Sequence, residues 1–104
     1  MREPGFAPVL PAADLAPGAM RCVEVAGRHV LLCGTPEGVT AVAGICSHAY
    51  ARLDEGRLRR HRIICPMHGA GFDARTGAVL SGPASEPLQS FACRVSGGFI
   101  EVQV

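Results

Sequence analysis

Apolar and polar side chains alternate along much of this chain in short runs, the period-two pattern of half-buried strands. Residues 21–25 alternate, Gly27-Arg28 can turn, and residues 29–33 carry the alternation on. A two-residue turn there sets Val25 against Val30, Val23 against Leu32 and Cys22 against Cys33. That last pair falls at a hydrogen-bonded site, the less convenient one for a bridge, so both cysteines read as space-filling thiols. Pro36-Glu37-Gly38 marks a turn, and residues 39–43 form the next strand. The clearest hairpin is C-terminal. Phe91, Cys93 and Val95 alternate, Gly97-Gly98 turns, and Ile100, Val102 and Val104 alternate back, which sets Arg94 against Glu101. Residues 46–86 are punctuated by Gly and Pro and hold short strands at best, Arg62-Ile63-Ile64 and Ala78-Val79-Leu80. No stretch shows a helical period with caps, and residues 13–16 are at most a turn. The pattern predicts an all-β domain with an irregular insertion between its strands.

Composition narrows the class. A chain of 104 residues suits one domain and can bury a core. At 48% hydrophobic and 18% charged it is globular, and Gly 13 with Pro 8 fits many turns. Ten basic residues, all Arg, oppose nine acidic ones for a net charge of +1, without the clustered basic excess of a nucleic-acid binder. Uncharged apolar runs fall far short of a membrane span, and Met1-Arg2-Glu3-Pro4-Gly5 lacks the regions of a signal peptide. The expectation is a cytoplasmic protein with no membrane or nucleic-acid partner. Five cysteines do not complete a disulfide framework, and in that compartment they read as thiols or metal ligands.

The insertion holds Cys46-Ser47-His48 and, sixteen residues on, Cys65-Pro66-Met67-His68. Two thiolates and two imidazoles can bind one metal centre. A Cys2His2 zinc finger places both Cys first and both His later on a helix, whereas here each loop mixes the two. A 2Fe-2S centre with two Cys on one iron and two His on the other has the matching ligand arithmetic.

At these residues the chain resembles the Rieske-type ferredoxins, especially those serving bacterial aromatic-ring-hydroxylating dioxygenases. The shared pattern runs Cys46-Ser47-His48-Ala49, Leu53-Asp54-Glu55-Gly56, Cys65-Pro66-Met67-His68-Gly69, Phe72-Asp73 and Thr76-Gly77. Gly82-Pro83-Ala84 stands where the family has a proline loop shielding the cluster, and the likeness runs from Phe6 to Val104. The resemblance implies one domain over 1–104, with a Rieske-type fold of stacked antiparallel sheets. A two-loop cluster-binding subdomain, about residues 45–86, is inserted at one end. It implies one 2Fe-2S cluster, with Cys46 and Cys65 on the inner iron and His48 and His68 on the outer iron near the surface. It implies a monomeric one-electron carrier, not itself an enzyme, between a flavin-dependent NAD(P)H reductase and a terminal oxygenase, with transient contacts to both.

High-potential Rieske proteins of respiratory complexes carry an extra Cys in each loop and hydroxyls that bond to the cluster. Ala51 and Met67 stand at the first places, Ala70 and Phe72 at the second. Fewer hydrogen bonds to sulfur leave the reduced state less stabilised, so the expected potential is low, near roughly −150 mV. Competing readings are the small subunit of an assimilatory nitrite reductase, which commonly lacks the four ligands, a zinc-stabilised structural module, and a fragment of an oxygenase. For an oxygenase iron site, which needs two His and a carboxylate, only His29 and His61 are left over, and both read as surface imidazoles. Cys22, Cys33 and Cys93 read as packing thiols. The arginines at 57, 59, 60 and 62 read as a solvated strand edge or as a docking patch for an acidic partner. Ala49, Tyr50 and Ala51 read as loop closure or as a small apolar contact face, and Phe72 as packing under the cluster.

Overall fold

The structure is a computed structural model that describes residues 5–45, 51–67, 69–82 and 86–104. Its strands are β1 (Ala7–Pro11), β2 (Met20–Val25), β3 (Arg28–Thr35), β4 (Gly38–Ala43), β5 (Arg57–Arg59), β6 (Arg62–Ile64), β7 (Gly71–Asp73), β8 (Val79–Ser81), β9 (Ser90–Ser96) and β10 (Phe99–Gln103). Single 3-10 turns cover Ala12–Asp14 and Leu53–Glu55. The strands form a six-stranded sheet in the order β1-β10-β9-β4-β3-β2 and a four-stranded sheet in the order β5-β6-β7-β8. All neighbours pair antiparallel, so the all-β, stacked-sheet expectation holds.

The C-terminal hairpin has the expected register, with Arg94 opposite Glu101 and a 2.7 Å Nε–Oε1 ion pair between them. The β2–β3 hairpin does not. Its turn is Ala26-Gly27, so Val25 pairs with Arg28, Val23 with Val30, Cys22 with Leu31 and Cys33 with Met20. Both turn residues have positive φ, 51° and 79°, the mirror-image turn whose twist suits a hairpin. The slip of two residues leaves every side chain on its predicted face, which is why the apolar pattern could not detect it. It also separates Cys22 from Cys33, which face different partners as unbridged thiols.

Strands β1, β5 and β7 were not expected from the pattern. Pro8 and Pro11 are tolerated in β1 because it is an edge strand, paired only with β10. Strands β5 and β7 span only Arg57–Arg59 and Gly71–Asp73, too short to display a period.

Strand β3 is buried on both faces, which explains its unbroken apolar run Val30-Leu31-Leu32-Cys33. Val30 and Leu32 enter a core with Leu10, Ala41, Ile100 and Val102 inside the large sheet. Leu31 and Cys33 enter a second core with Leu53, Ile63, Cys65 and Phe72, on which the small sheet is stacked. The chain leaves the large sheet after Ala43 and returns at Gln89, where Ala43 N–H donates to Gln89 O at 2.8 Å. The described residues between them belong to the small sheet and its loops.

Candidate metal centre

Two loops carry the four predicted ligands, and each is pinned at its base. Ile45 bridges Arg52 across the first, and Leu53 N–H donates to Gly44 O at 3.0 Å. Across the second, Cys65 N–H donates to Ala70 O at 2.9 Å, and Gly69 N–H donates to Cys65 O at 3.1 Å. Gly69 turns the chain there with φ +76°, a conformation that favours glycine. Leu53, fully buried, anchors the first loop in the same core that receives Cys65, Ala70 and Phe72. A loop pinned at its base has less conformational freedom to lose when it binds a group.

Cys65 is the predicted ligand that the structure locates. Its residue is 2% exposed, at the head of the turn between β6 and β7. Beside it opens a cleft of about 360 Å³ lined by Glu55, Gly56, Arg57, Ile64, Pro66 and Gly69. Cys46, His48 and His68 lie outside the described residues, as do Ala49, Tyr50, Pro83 and Ala84. Among the described residues no three His, Cys, Asp or Glu side chains converge. A buried cysteine beside open space fits a group bound through sulfur. Ala70 and Phe72, both fully buried, bring no side-chain hydroxyl to this side of the site.

The motif residues around the ligands acquire physical reasons. A Cβ on Gly56 would stand 2.0 Å from Ile64 O, so only glycine lets the first loop descend against β6. Asp54 holds Arg52 with Nη2–Oδ2 at 2.8 Å and Nε–Oδ1 at 3.2 Å, clasping the exit of the same loop. Asp73 accepts from Arg75 N–H at 2.8 Å and pairs with its guanidinium, which holds the Asp73 carboxyl below the usual carboxylate range. Ala78 N–H donates to Thr76 Oγ1 at 3.2 Å, shaping the turn into β8. Gly77 packs its backbone on Leu88, and Leu88 N–H donates to Gly77 O at 2.8 Å, closing the base of the segment that holds Gly82-Pro83-Ala84. None of these contacts could be read from residue type, although the glycines signal that something backbone-close is there.

The remaining cysteines are thiols. Burial pushes the Cys33 thiol up to about 12, and burial likewise raises Cys22 and Cys93. Raised thiols hold little reactive thiolate at neutral pH, as packing residues should. His61, in the β5–β6 turn, bonds Glu37 in the β3–β4 turn and so ties the small sheet to the large one. His29 is exposed, in line with a surface imidazole.

Comparison with known proteins identifies related chains. The profile of the Rieske 2Fe-2S domain matches residues 5–92. The ferredoxin component of biphenyl 2,3-dioxygenase from Rhodococcus jostii (strain RHA1) is 34% identical over 93 residues, spanning 89% of this chain and 87% of that protein. The ferredoxin of carbazole 1,9a-dioxygenase from Nocardioides aromaticivorans IC177 superposes with a TM-score of 0.89 at 33% identity, covering 93% of this chain and 95% of that one. A chain from a complex of reduced oxygenase and oxidised ferredoxin in carbazole 1,9a-dioxygenase superposes with a TM-score of 0.90 at 31% identity, covering 97% and 94%.

Proposed function

The chain belongs to the Rieske 2Fe-2S family, and from that premise we propose that it is a one-electron carrier. It takes electrons from a flavin-dependent NAD(P)H reductase and delivers them to a terminal aromatic-ring-hydroxylating oxygenase. The observation that carries this reading is the extent of the likeness: a dioxygenase ferredoxin component is matched over 87% of its own length. The carrier is not itself an enzyme. The neighbour that pairs a reduced oxygenase with an oxidised ferredoxin supports an oxygenase as the acceptor. The dioxygenase systems to which the relatives belong support a reductase as the donor.

We assign the cluster ligands as Cys46, Cys65, His48 and His68, with residues 1–104 as a single domain and about 45–86 as its cluster-binding subdomain. The bound cluster supplies a one-electron couple, which in mixed Cys/His ligation spans about −150 to +300 mV. Cys65 stands at a buried position, and backbone hydrogen bonds pin the bases of both loops. Ala70 and Phe72 withhold hydroxyl donors, so we place the potential at the low end, near roughly −150 mV. Met67, 59% exposed, offers an apolar contact beside the site. No helix among the described residues is long and apolar enough to cross a membrane. We take the carrier to be a cytoplasmic monomer.

The test is an EPR-monitored redox titration of anaerobically purified protein, with iron, sulfide and zinc measured on the same sample. The carrier gives a rhombic mixed-ligand signal with a midpoint below zero. An EPR-silent protein holding zinc in place of iron and sulfide would be a structural module and would end the electron-transfer reading.

A further inference from the structure

Arg57, Arg59, Arg60 and Arg62 crowd the β5–β6 hairpin, and all four are exposed. Leu58 and Ile63 point into the core, so strand alternation puts Arg57, Arg59 and Arg62 together on the outer face of the small sheet. Arg59 stands directly opposite Arg62, a like-charge pairing that costs stability. Arg62 also stretches over Gly71, where a Cβ would meet its guanidinium at 2.6 Å, and donates to Ser81 Oγ at 3.3 Å. None of the four arginines forms an ion pair with a described residue. Of the described carboxylates, Asp73 stands opposite Arg62 but is held by Arg75, and Glu55 shares the cleft with Arg57.

Edge protection accounts for arginines on β5, the outermost strand of its sheet. It does not account for Arg62, which lies on an interior strand, nor for a like-charge pair without an ion-pair partner among the described residues. The face also has a telling position. Arg57 pairs with Ile64, the residue before Cys65, and the exposed Met67 follows two residues after that cysteine. An apolar contact flanked by unpaired charge is the anatomy of a small, transient, electrostatically steered interface.

We infer that this arginine face docks the carboxylate-rich surface of a redox-protein partner. The inference rests on the carrier reading above and adds the sign and place of the contact. Guanidinium groups suit carboxylates because they can bind both oxygens at once. Attraction over this face would orient the partner toward the Cys65 loop and raise the encounter rate.

The test uses the cluster-loaded protein and two probes: a gold electrode bearing a carboxylate-terminated thiol monolayer, and one bearing an amine-terminated monolayer. At low salt, electron exchange is expected to be at least about tenfold faster at the carboxylate surface, with the advantage shrinking near ~0.5 M salt. Arg57→Gln/Arg59→Gln should remove about tenfold of that advantage. Arg21→Gln/Arg28→Gln, an equal charge loss on the large sheet, should change it less than about twofold. Arg59→Glu should slow exchange further while relieving the Arg59–Arg62 repulsion, so a fall in rate with an unchanged or higher melting temperature cannot be ascribed to unfolding. Equal effects of the two double substitutions, or no effect of either, overturn the docking face. EPR of the same samples separates the two readings. A full cluster signal with rates indifferent to these arginines refutes the docking face alone, whereas wild-type protein without a cluster signal refutes the carrier and the docking face together.

Discussion

Gly77 and Gly98 adopt nearly the same left-handed backbone, φ 82° and 84°, in very different surroundings. Nothing lies within 4 Å of a Cβ built on Gly98, whereas one built on Gly77 stands 2.0 Å from Leu88 O and 2.9 Å from its carbonyl carbon. Substituting alanine at either position costs about 1–2 kcal/mol for the backbone conformation. At Gly77 the backbone of Leu88 must also move. That breaks the 2.8 Å hydrogen bond from Leu88 N–H to Gly77 O, worth about 1 kcal/mol. It also lifts Leu88, 4% exposed, partly out of the core, at about 1.5–3 kcal/mol. Gly77→Ala is therefore expected to exceed Gly98→Ala by about 3 kcal/mol, or more than about 10 °C in melting temperature for a domain of this size. Thermal denaturation followed by circular dichroism measures the difference, and visible absorbance of the same samples reports the cluster. Cluster loss in Gly77→Ala should precede unfolding, because the Gly77–Leu88 pairing closes the segment holding Gly82-Pro83-Ala84. Melting temperatures within a few degrees of each other would refute the close-approach reasoning.

Cys33 keeps its proton to about 12 when folded, against 9.0 when exposed, so its stabilisation is complete below pH 9 and is lost as pH rises toward 12. The expected loss is about 1.4 kcal/mol per pH unit across that window, and denaturation curves should show it vanish in Cys33→Ala. Asp73 has the opposite sign. Its depressed carboxyl stabilises the fold above about pH 4 and ceases to do so as pH falls through the lowered value, so Asp73→Asn should flatten the acid limb of a urea-midpoint profile. Ala70→Ser introduces a hydroxyl at a fully buried position beside Cys65 and should raise the midpoint potential; a midpoint that falls or stays put in redox titration would count against the low-potential reading.

Much of the large sheet was legible because its strands are long enough to show their period and because Gly97-Gly98 fixes a turn. The β2–β3 register was not, since a slip of two residues preserves every face and only the backbone preference at Ala26-Gly27 decides it. The small sheet was half legible. Ile63 and Val79 sit in runs of apolar residues, but β5 and β7 consist of three residues each, and their pairing depends on contacts distant in sequence. At the candidate site, the spacing of Cys46, His48, Cys65 and His68 is visible in the sequence, whereas the clasps around it are not. Ile45 with Arg52, Gly56 against Ile64, and Gly77 against Leu88 are backbone approaches, and a sequence shows of them only the glycine.

The adjacency of Ala43 and Gln89 bears on how this chain can vary. A segment whose two ends are joined by a hydrogen bond is, for the large sheet, a long hairpin loop. Closing a loop costs little more as it lengthens, about 0.6 kcal/mol for each doubling. Residues can therefore be added to or removed from the excursion at its exposed tips with little burden on the six strands that hold it. The large sheet is a mount and the small sheet an exchangeable head, so the head can be reshaped for a new partner without redesigning the mount.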